Sequence, residues 1–247
     1  MKVSFIIPAH NEEKYIIRCL KSVKQELSSD DYDAEIIVVD NASTDKTCER
    51  VESFPGVRVI NEPHKGLSQA RQAGFLASTG ELIANIDADT IVPVGWLKTV
   101  MVEFTKEKNL VALSGPHIYY DLSIYSRLLV KIFYFLGYTT HIINHHILGI
   151  GAMLQGGNFI VRRSALEKIN GYNTSIEFYG EDTDVGRRLA QIGKVKWTFH
   201  LPIYASGRRI KNEGIITMGS RYALNYFWVI FSGKPFTKNV SENNRGK

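Results

Sequence analysis

The sequence predicts an α/β fold, with a mostly parallel sheet and helices on both of its faces. Three observations carry this expectation. Over the first 115 residues, short apolar runs alternate with longer stretches of helical periodicity, the pattern of strand–helix–strand units. With 44% hydrophobic and 22% charged residues, the chain can build a sizeable core and is not a disordered segment. Its 247 residues suit one large domain, or one domain with an appended subregion.

Each element has its own signal. Residues 3–7 form an apolar run ended by Pro8, the first strand. Residues 12–25 have helical spacing, with Tyr15, Ile16, Cys19, Leu20 and Val23 on one face. Residues 35–39 are a second strand ended by Asp40. Residues 44–53 are a short helix, capped by Ser43 or Thr44. Then follow a strand (57–60), a helix (67–78) stopped by Gly80, a strand (82–86), a helix (94–106) and a strand (110–113). After residue 115 the pattern changes. Residues 121–138 read as a long apolar helix on which Ser123, Arg127 and Lys131 make one narrow polar stripe. Regular structure resumes at Gly156, and a further helix is expected behind Gly180 as far as Leu189.

Composition narrows the setting. The two cysteines, Cys19 and Cys48, have no metal-type spacing and make no disulfide framework, so a reducing, cytoplasmic setting is expected. The apolar run before Pro8 is too short for a signal peptide. No uncharged apolar stretch reaches about 18 residues, so no transmembrane helix is expected. The net charge of +5 is uneven: residues 205–247 hold eight Lys/Arg against Glu213 and Glu242. Such a tail suits phosphates, anionic lipid or nucleic acid, or is simply a solvated surface.

In a parallel α/β sheet, ligands sit outside the carboxyl ends of the strands. The polar motifs lie there. Asp87-Ala88-Asp89 ends the fourth strand, and residues i and i+2 of extended chain point the same way, so both carboxylates can face one spot. Hard oxygen ligands of this kind suit Mg²⁺ or Mn²⁺, with water and substrate phosphates completing the shell. Pro8-Ala9-His10-Asn11-Glu12-Glu13 follows strand one and Asp40–Asp45 follows strand two. Gly180-Glu181-Asp182-Thr183-Asp184 precedes a helix, where an acid is either a cap or a general base. Each motif alone has an ordinary structural explanation as a loop or cap.

Taken in order, these segments, with Lys65-Gly66, Ala70-Arg71 and Gly156-Gly157-Asn158 with Arg162, resemble the family 2 glycosyltransferases of GT-A fold over about residues 1–200. The resemblance implies an inverting, single-displacement transfer from a nucleotide-diphosphate sugar, UDP favoured, to an acceptor hydroxyl. It divides residues 1–204 into a nucleotide-binding half (1–115) and an acceptor half (116–204), with a basic, aromatic helical extension over 205–247. It implies nucleotide-sugar contacts from Pro8, Ala9, Asn11, Glu12, Asp40, Lys65, Arg71, Asp87 and Ala88, with Asp40 on the base. The metal, Mn²⁺ or Mg²⁺, falls to Asp87 and Asp89, and catalysis to Asp182 as base beside Glu181.

One departure stands out. Many relatives place a histidine metal ligand shortly after the last sheet strand. Here the segment is Tyr204-Ala205-Ser206-Gly207-Arg208-Arg209, and His200 lies within or just after the strand. Arg208 and Arg209 are expected to neutralise the diphosphate instead, since guanidinium forks suit phosphate oxygens. Of His117, His141, His145 and His146, the last three include an i, i+4 pair. Without acidic or cysteine partners they are not expected to form a zinc site.

The aromatic stretch Tyr222–Phe231, followed by Lys234 and Lys238, resembles an interfacial anchor. A peripheral contact with the cytoplasmic membrane face and a sugar or lipid-linked acceptor are therefore expected; no nucleic-acid partner is. Rival classes fit less well. A haloacid-dehalogenase-type phosphatase carries its nucleophile after the first strand, not the fourth. A sugar-nucleotide-forming nucleotidyltransferase needs a glycine-rich basic first loop. A dinucleotide-binding oxidoreductase needs Gly-x-Gly-x-x-Gly. A non-catalytic sugar-nucleotide binding module would have lost the acids that are all present.

Overall fold

The structure, a computed structural model, describes residues 1–144 and 151–237. In chain order it contains β1 (Val3–Ala9), α1 (Ile16–Leu27), β2 (Ala34–Asp40), α2 (Thr47–Glu52), β3 (Arg58–Asn61), α3 (Leu67–Ala77), β4 (Leu82–Ile86), β5 (Thr90–Ile91) and α4 (Trp96–Lys106). Then come β6 (Leu110–Ser114), β7 (His117–Tyr119), α5 (Ile124–His141), β8 (Asn158–Arg162), α6 (Arg163–Lys168), α7 (Glu181–Ala190), β9 (Lys194–Trp197), β10 (Ile203–Ala205), α8 (Arg208–Glu213) and α9 (Ile215–Ser232).

The main sheet has the order β3-β2-β1-β4-β8-β6-β9, and a small second sheet has the order β5-β10-β7. β1 pairs in parallel with both β2 and β4, so the chain winds to one side of β1 and then crosses to the other. That reversal is the switch point at which such sheets open a crevice. β8 runs antiparallel between β4 and β6. Its amino end, and the Gly156-Gly157 turn before it, therefore lie beside the carboxyl ends of β4 and β6.

Period-two alternation assigns the faces. Val3, Phe5, Ile7 and Ala9 of β1 pack with Ile16, Leu20 and Val23 of α1 and with Trp96, Leu97 and Val100 of α4. Ile6 points the other way, to Ala70 and Phe75 of α3, Leu166 of α6 and Val185 and Leu189 of α7. Helices thus cover both faces, as expected.

Three details differ from the sequence-based expectations. α2 begins at Thr47, and neither Ser43 nor Thr44 caps it: the Ser43 hydroxyl instead accepts from the Asn11 N–H at 3.1 Å. α5 begins at Ile124 with Ser123 as its cap, its hydroxyl accepting from Ser126 N–H at 3.1 Å. The two- and three-residue strands of the small sheet carry no readable period, and β10 spans the expected boundary at 204.

Candidate active site

The ends of β1 and β2 are tied to one another by side chains. Asn11 Oδ1 accepts from Thr44 N–H at 2.8 Å, and Thr47 Oγ1 accepts from Glu12 N–H at 2.8 Å. Asn41 draws in a third loop: its Nδ2 donates to the carbonyls of Glu62 (3.1 Å) and His64 (2.8 Å), and its Oδ1 accepts from Gly66 N–H at 2.8 Å. The polar residues after β1 and β2 thereby form one rigid floor.

Asp87 and Asp89 emerge at the end of β4. Arg71, fully buried on α3, donates to Asp87 Oδ1 at 3.1 Å and to Glu181 Oε1 at the start of α7. This guanidinium, resting 5.2 Å from the centre of the Phe159 ring, joins the aspartate pair to the acids of α7. The Gly156-Gly157 turn closes the space between them. A Cβ on Gly157 would stand 2.2 Å from Asp87 Cγ, and its φ of +75° is one that side-chain-bearing residues avoid. Gly156 N–H donates to Asp182 Oδ2 at 2.9 Å. The glycine pair is what allows both carboxylate groups to approach one cavity.

That cavity measures about 610 Å³. Pro8, Ala9, Glu12, Arg71, Asp87, Ala88, Asp89, Glu181, Asp182, Arg208 and Arg209 all line it. Arg208 is paired with Glu12 and lies 3.4 Å from Asp89 Oδ2, its guanidinium 4.7 Å from the Tyr15 ring centre. Arg209 is held among Phe178, Tyr179 and Tyr222, with Nε 3.1 Å from Glu213. Glu213 also pairs with Arg221, and Lys211 with Asp121 at 3.0 Å. Much of the basic charge in the described part of the tail is therefore met internally.

The lining holds five carboxylates against three guanidiniums. Burial pushes the Asp89 carboxyl up to about 7, and the negative charges of Glu12 and Asp87 add to it, with Arg208 opposing. Burial likewise raises Glu12, Glu181 and Asp182 above the ordinary carboxylate range. Buried polar atoms normally find partners. Yet Glu12 Oε2, Glu181 Oε2, Asp40 Oδ1 and His117 Nε2 are shielded from solvent and hydrogen-bond to nothing in the described chain. A site with surplus negative charge and unsatisfied acceptors fits a hard divalent cation at Asp87 and Asp89. Among the described residues no group of three His, Cys, Asp or Glu stands ready to hold a metal, so water and phosphate would complete such a shell.

Some expected residues lie elsewhere. Asn11, Asp40 and Lys65 are not on the cavity wall: Asn11 is turned to the second loop, Asp40 is buried where β2 ends opposite Ala9, and Lys65 is exposed. His200 is exposed in the turn after β9 and away from the lining. His141 is buried and accepts from Met153 N–H at 3.1 Å, a packing role; His145 and His146 lie outside the described residues. His117 and Tyr222 are among the lining residues that were not anticipated. His117 lines the cavity, and burial lowers it to about 4, so the imidazole is neutral near pH 7. Tyr222 lines it too, although the aromatic run it belongs to suggested only a surface anchor.

This sheet order, with helices on both faces and the polar loops gathered at the carboxyl ends of β1, β2 and β4, is that of the GT-A fold. Residues 4–170 match the model of "Glycosyl transferase family 2", and residues 145–204 that of "N-terminal domain of galactosyltransferase". The chain belongs to glycosyl transferase family 2. It is 27% identical over 233 residues to the hyaluronan synthase of Pasteurella multocida, covering 86% of this chain and 22% of that one. Two of the solved structures that share the fold are similar over most of this chain. One is a mannosyltransferase from Pyrobaculum calidifontis in complex with GDP-Man and Mn²⁺ (TM-score 0.64, 19% identity, 87% of this chain and 62% of that chain). The other is glucosyl-3-phosphoglycerate synthase from Mycobacterium tuberculosis with Mn²⁺, UDP-glucose and phosphoglyceric acid (TM-score 0.61, 20% identity, 96% and 81%). The chain spans less than half the length of the curated relatives it matches first. Asp87 closes β4 rather than β1, and with the family match this sets the phosphatase class aside.

Proposed function

We propose that the chain transfers one sugar, with inversion, from a nucleotide-diphosphate sugar to an acceptor hydroxyl, with Mn²⁺ or Mg²⁺ at Asp87 and Asp89. The observation that carries this is the convergence of Asp87, Asp89 and Asp182 on one cavity across the Gly156-Gly157 turn. Asp40, whose buried Oδ1 meets no hydrogen-bond partner among the described residues at the end of β2, is assigned to the base of the nucleotide although it stands behind the cavity wall. Asn11 and Lys65 are assigned to the same nucleotide from outside that wall. UDP is favoured as the nucleotide, following the more frequent donor among such enzymes; the two solved neighbours hold UDP-glucose and GDP-Man.

In the reaction, the acceptor oxygen bonds to the anomeric carbon as the bond from that carbon to the β-phosphate oxygen breaks. The acceptor proton passes to Asp182, and the electron pair leaves with the nucleoside diphosphate. Arg208 leaves Glu12 and Asp89 to meet the diphosphate, its fork suited to phosphate oxygens. The divalent ion, when bound, neutralises the charge that develops on the leaving group. Attack from the face opposite the leaving group inverts the anomeric centre. Proton NMR of donor turnover in the presence of Mn²⁺ tests this: an α-linked donor should yield a β product first, and Asp182→Asn should abolish it. Retention of configuration would rule the assignment out.

The acceptor side is proposed to work at a membrane surface, with a lipid-linked acceptor within reach. No helix among the described residues is long and apolar enough to cross a bilayer. α5 and α9 nevertheless expose Tyr125, Leu128, Ile132, Phe135, Trp228 and Phe231, too broad an apolar face for a structure with nothing against it. Co-sedimentation with anionic liposomes should recover the protein in the pellet at low salt. Protein left in the supernatant would contradict the surface contact.

A further inference from the structure

The cavity that holds the carboxylates does not end at them. It continues between α5 and α9, where its walls become apolar: Val130, Phe133 and Leu136 from one helix, Met218, Tyr222 and Phe227 from the other. Four of these six are also open to the outside, with Phe133 41%, Leu136 56%, Tyr222 40% and Phe227 45% exposed. The space is therefore a slot, sealed by acids at one end and open along the seam of two helices. The outer surface that the slot meets is apolar as well, with Leu128 57% and Phe135 62% exposed. A slot serving only a free sugar would leave these side chains against water, at a cost proportional to the apolar area left wet. A hydrocarbon chain lying in it removes that cost.

We infer that the α5–α9 slot binds the hydrocarbon chain of an amphiphilic acceptor whose hydroxyl-bearing head reaches Asp182. This rests on the transferase function proposed above and names its substrate class. Continuity decides the occupant. The acceptor head must sit beside Asp182, and the cavity that Asp182 lines carries the apolar wall of the slot as part of the same surface. Charge agrees: Arg127 and Lys131 on α5 border the exposed face and suit the anionic surface from which such a molecule would be drawn. The slot is distinct from the outward face of α5, so chain binding and surface docking are separable.

Isothermal titration with dodecyl maltoside below its critical micelle concentration, against maltose, tests the inference on three proteins. Ala223→Trp fills the slot from α9, at an exposed wall position where the larger side chain meets no core. Phe135→Ser alters only the outward face. Wild type should bind dodecyl maltoside at one saturable site and maltose far more weakly. Ala223→Trp should weaken the amphiphile about tenfold or more, and Phe135→Ser by less than about threefold. Equal binding by Ala223→Trp and wild type overturns the inference, as does equal loss in Phe135→Ser, which would mark adsorption to the surface. A dimer in sedimentation velocity that Ala223→Trp disperses overturns it in favour of a second copy in the slot. UDP with Mn²⁺ is titrated into the same three proteins. If none binds it while the amphiphile results hold, the transferase function fails and the chain-binding slot stands.

Discussion

Asp182 receives two backbone hydrogen bonds, from Gly156 N–H at 2.9 Å and Thr183 N–H at 2.8 Å, and both favour its ionised form. Burial acts the other way and prevails, so its carboxyl lies above the ordinary range. A base must be ionised to take a proton. Activity should therefore be present above the raised value and be lost as pH falls through it. A kcat/KM profile should show an acid limb with an apparent pKa above about 4, the usual aspartate value. A limb at or below that value would contradict the role. Arg71 gives a second test at this scale. Its removal would leave Glu181 and the inner oxygen of Asp87 without their counter-charge, so Arg71→Ala should cost about 3–5 kcal/mol in urea unfolding. A loss under about 1 kcal/mol would show that the three do not act as a unit. Asp87 and Asp89 were legible as a pair because residues i and i+2 of extended chain face one way, whereas Asp182 stood out from a helix cap only through the family resemblance; the structure sets all three on one cavity. The bracing position of Arg71 was not legible, because its partner Glu181 is 110 residues away and only the fold brings them together.

At the scale of elements, α9 lines the candidate cavity through Met218, Tyr222, Tyr226 and Phe227. Gly180, the N-cap of α7 at φ +80°, lies so close to α9 that a Cβ there would stand 2.7 Å from Val229 Cγ2. Gly180→Ala should destabilise by about 1–3 kcal/mol through strain and overpacking. Adding Val229→Ala should recover part of that loss in a double-mutant cycle, since residues in contact couple. Strict additivity in thermal melting would place α9 away from the base. In the first 115 residues the helices were readable from their period and the main-sheet strands from their apolar runs, β1 and β4 being buried on both faces. The two-residue β5 left no signal. The antiparallel sense of β8 was not readable, since a run of apolar residues carries no direction. The cap of α2 was misplaced because the Ser43 hydroxyl is drawn away by Asn11, a partner on another loop.

For the whole molecule, the order β3-β2-β1-β4-β8-β6-β9 brings together four loops that are scattered through the sequence. The ends of β1, β2 and β4 and the start of β8 meet at one edge of the sheet, and α7, α8 and α9 close over it. The parallel half was legible from alternation. The apolar slot was not, because its walls come from two helices that start 91 residues apart (Ile124 and Ile215) and read simply as greasy. The most direct test of the central claim is thermal melting with UDP-, GDP-, CMP- and dTDP-sugars, each with and without Mn²⁺. A ligand at a hundredfold excess over its Kd adds about 2.7 kcal/mol, or roughly 5–10 °C for a domain of this size. One nucleotide class should raise the melting temperature by that amount only with Mn²⁺, and Asp89→Ala should lose the shift. No shift with any nucleotide sugar, or a shift that Asp89→Ala retains, would contradict a metal-assisted donor site at Asp87 and Asp89.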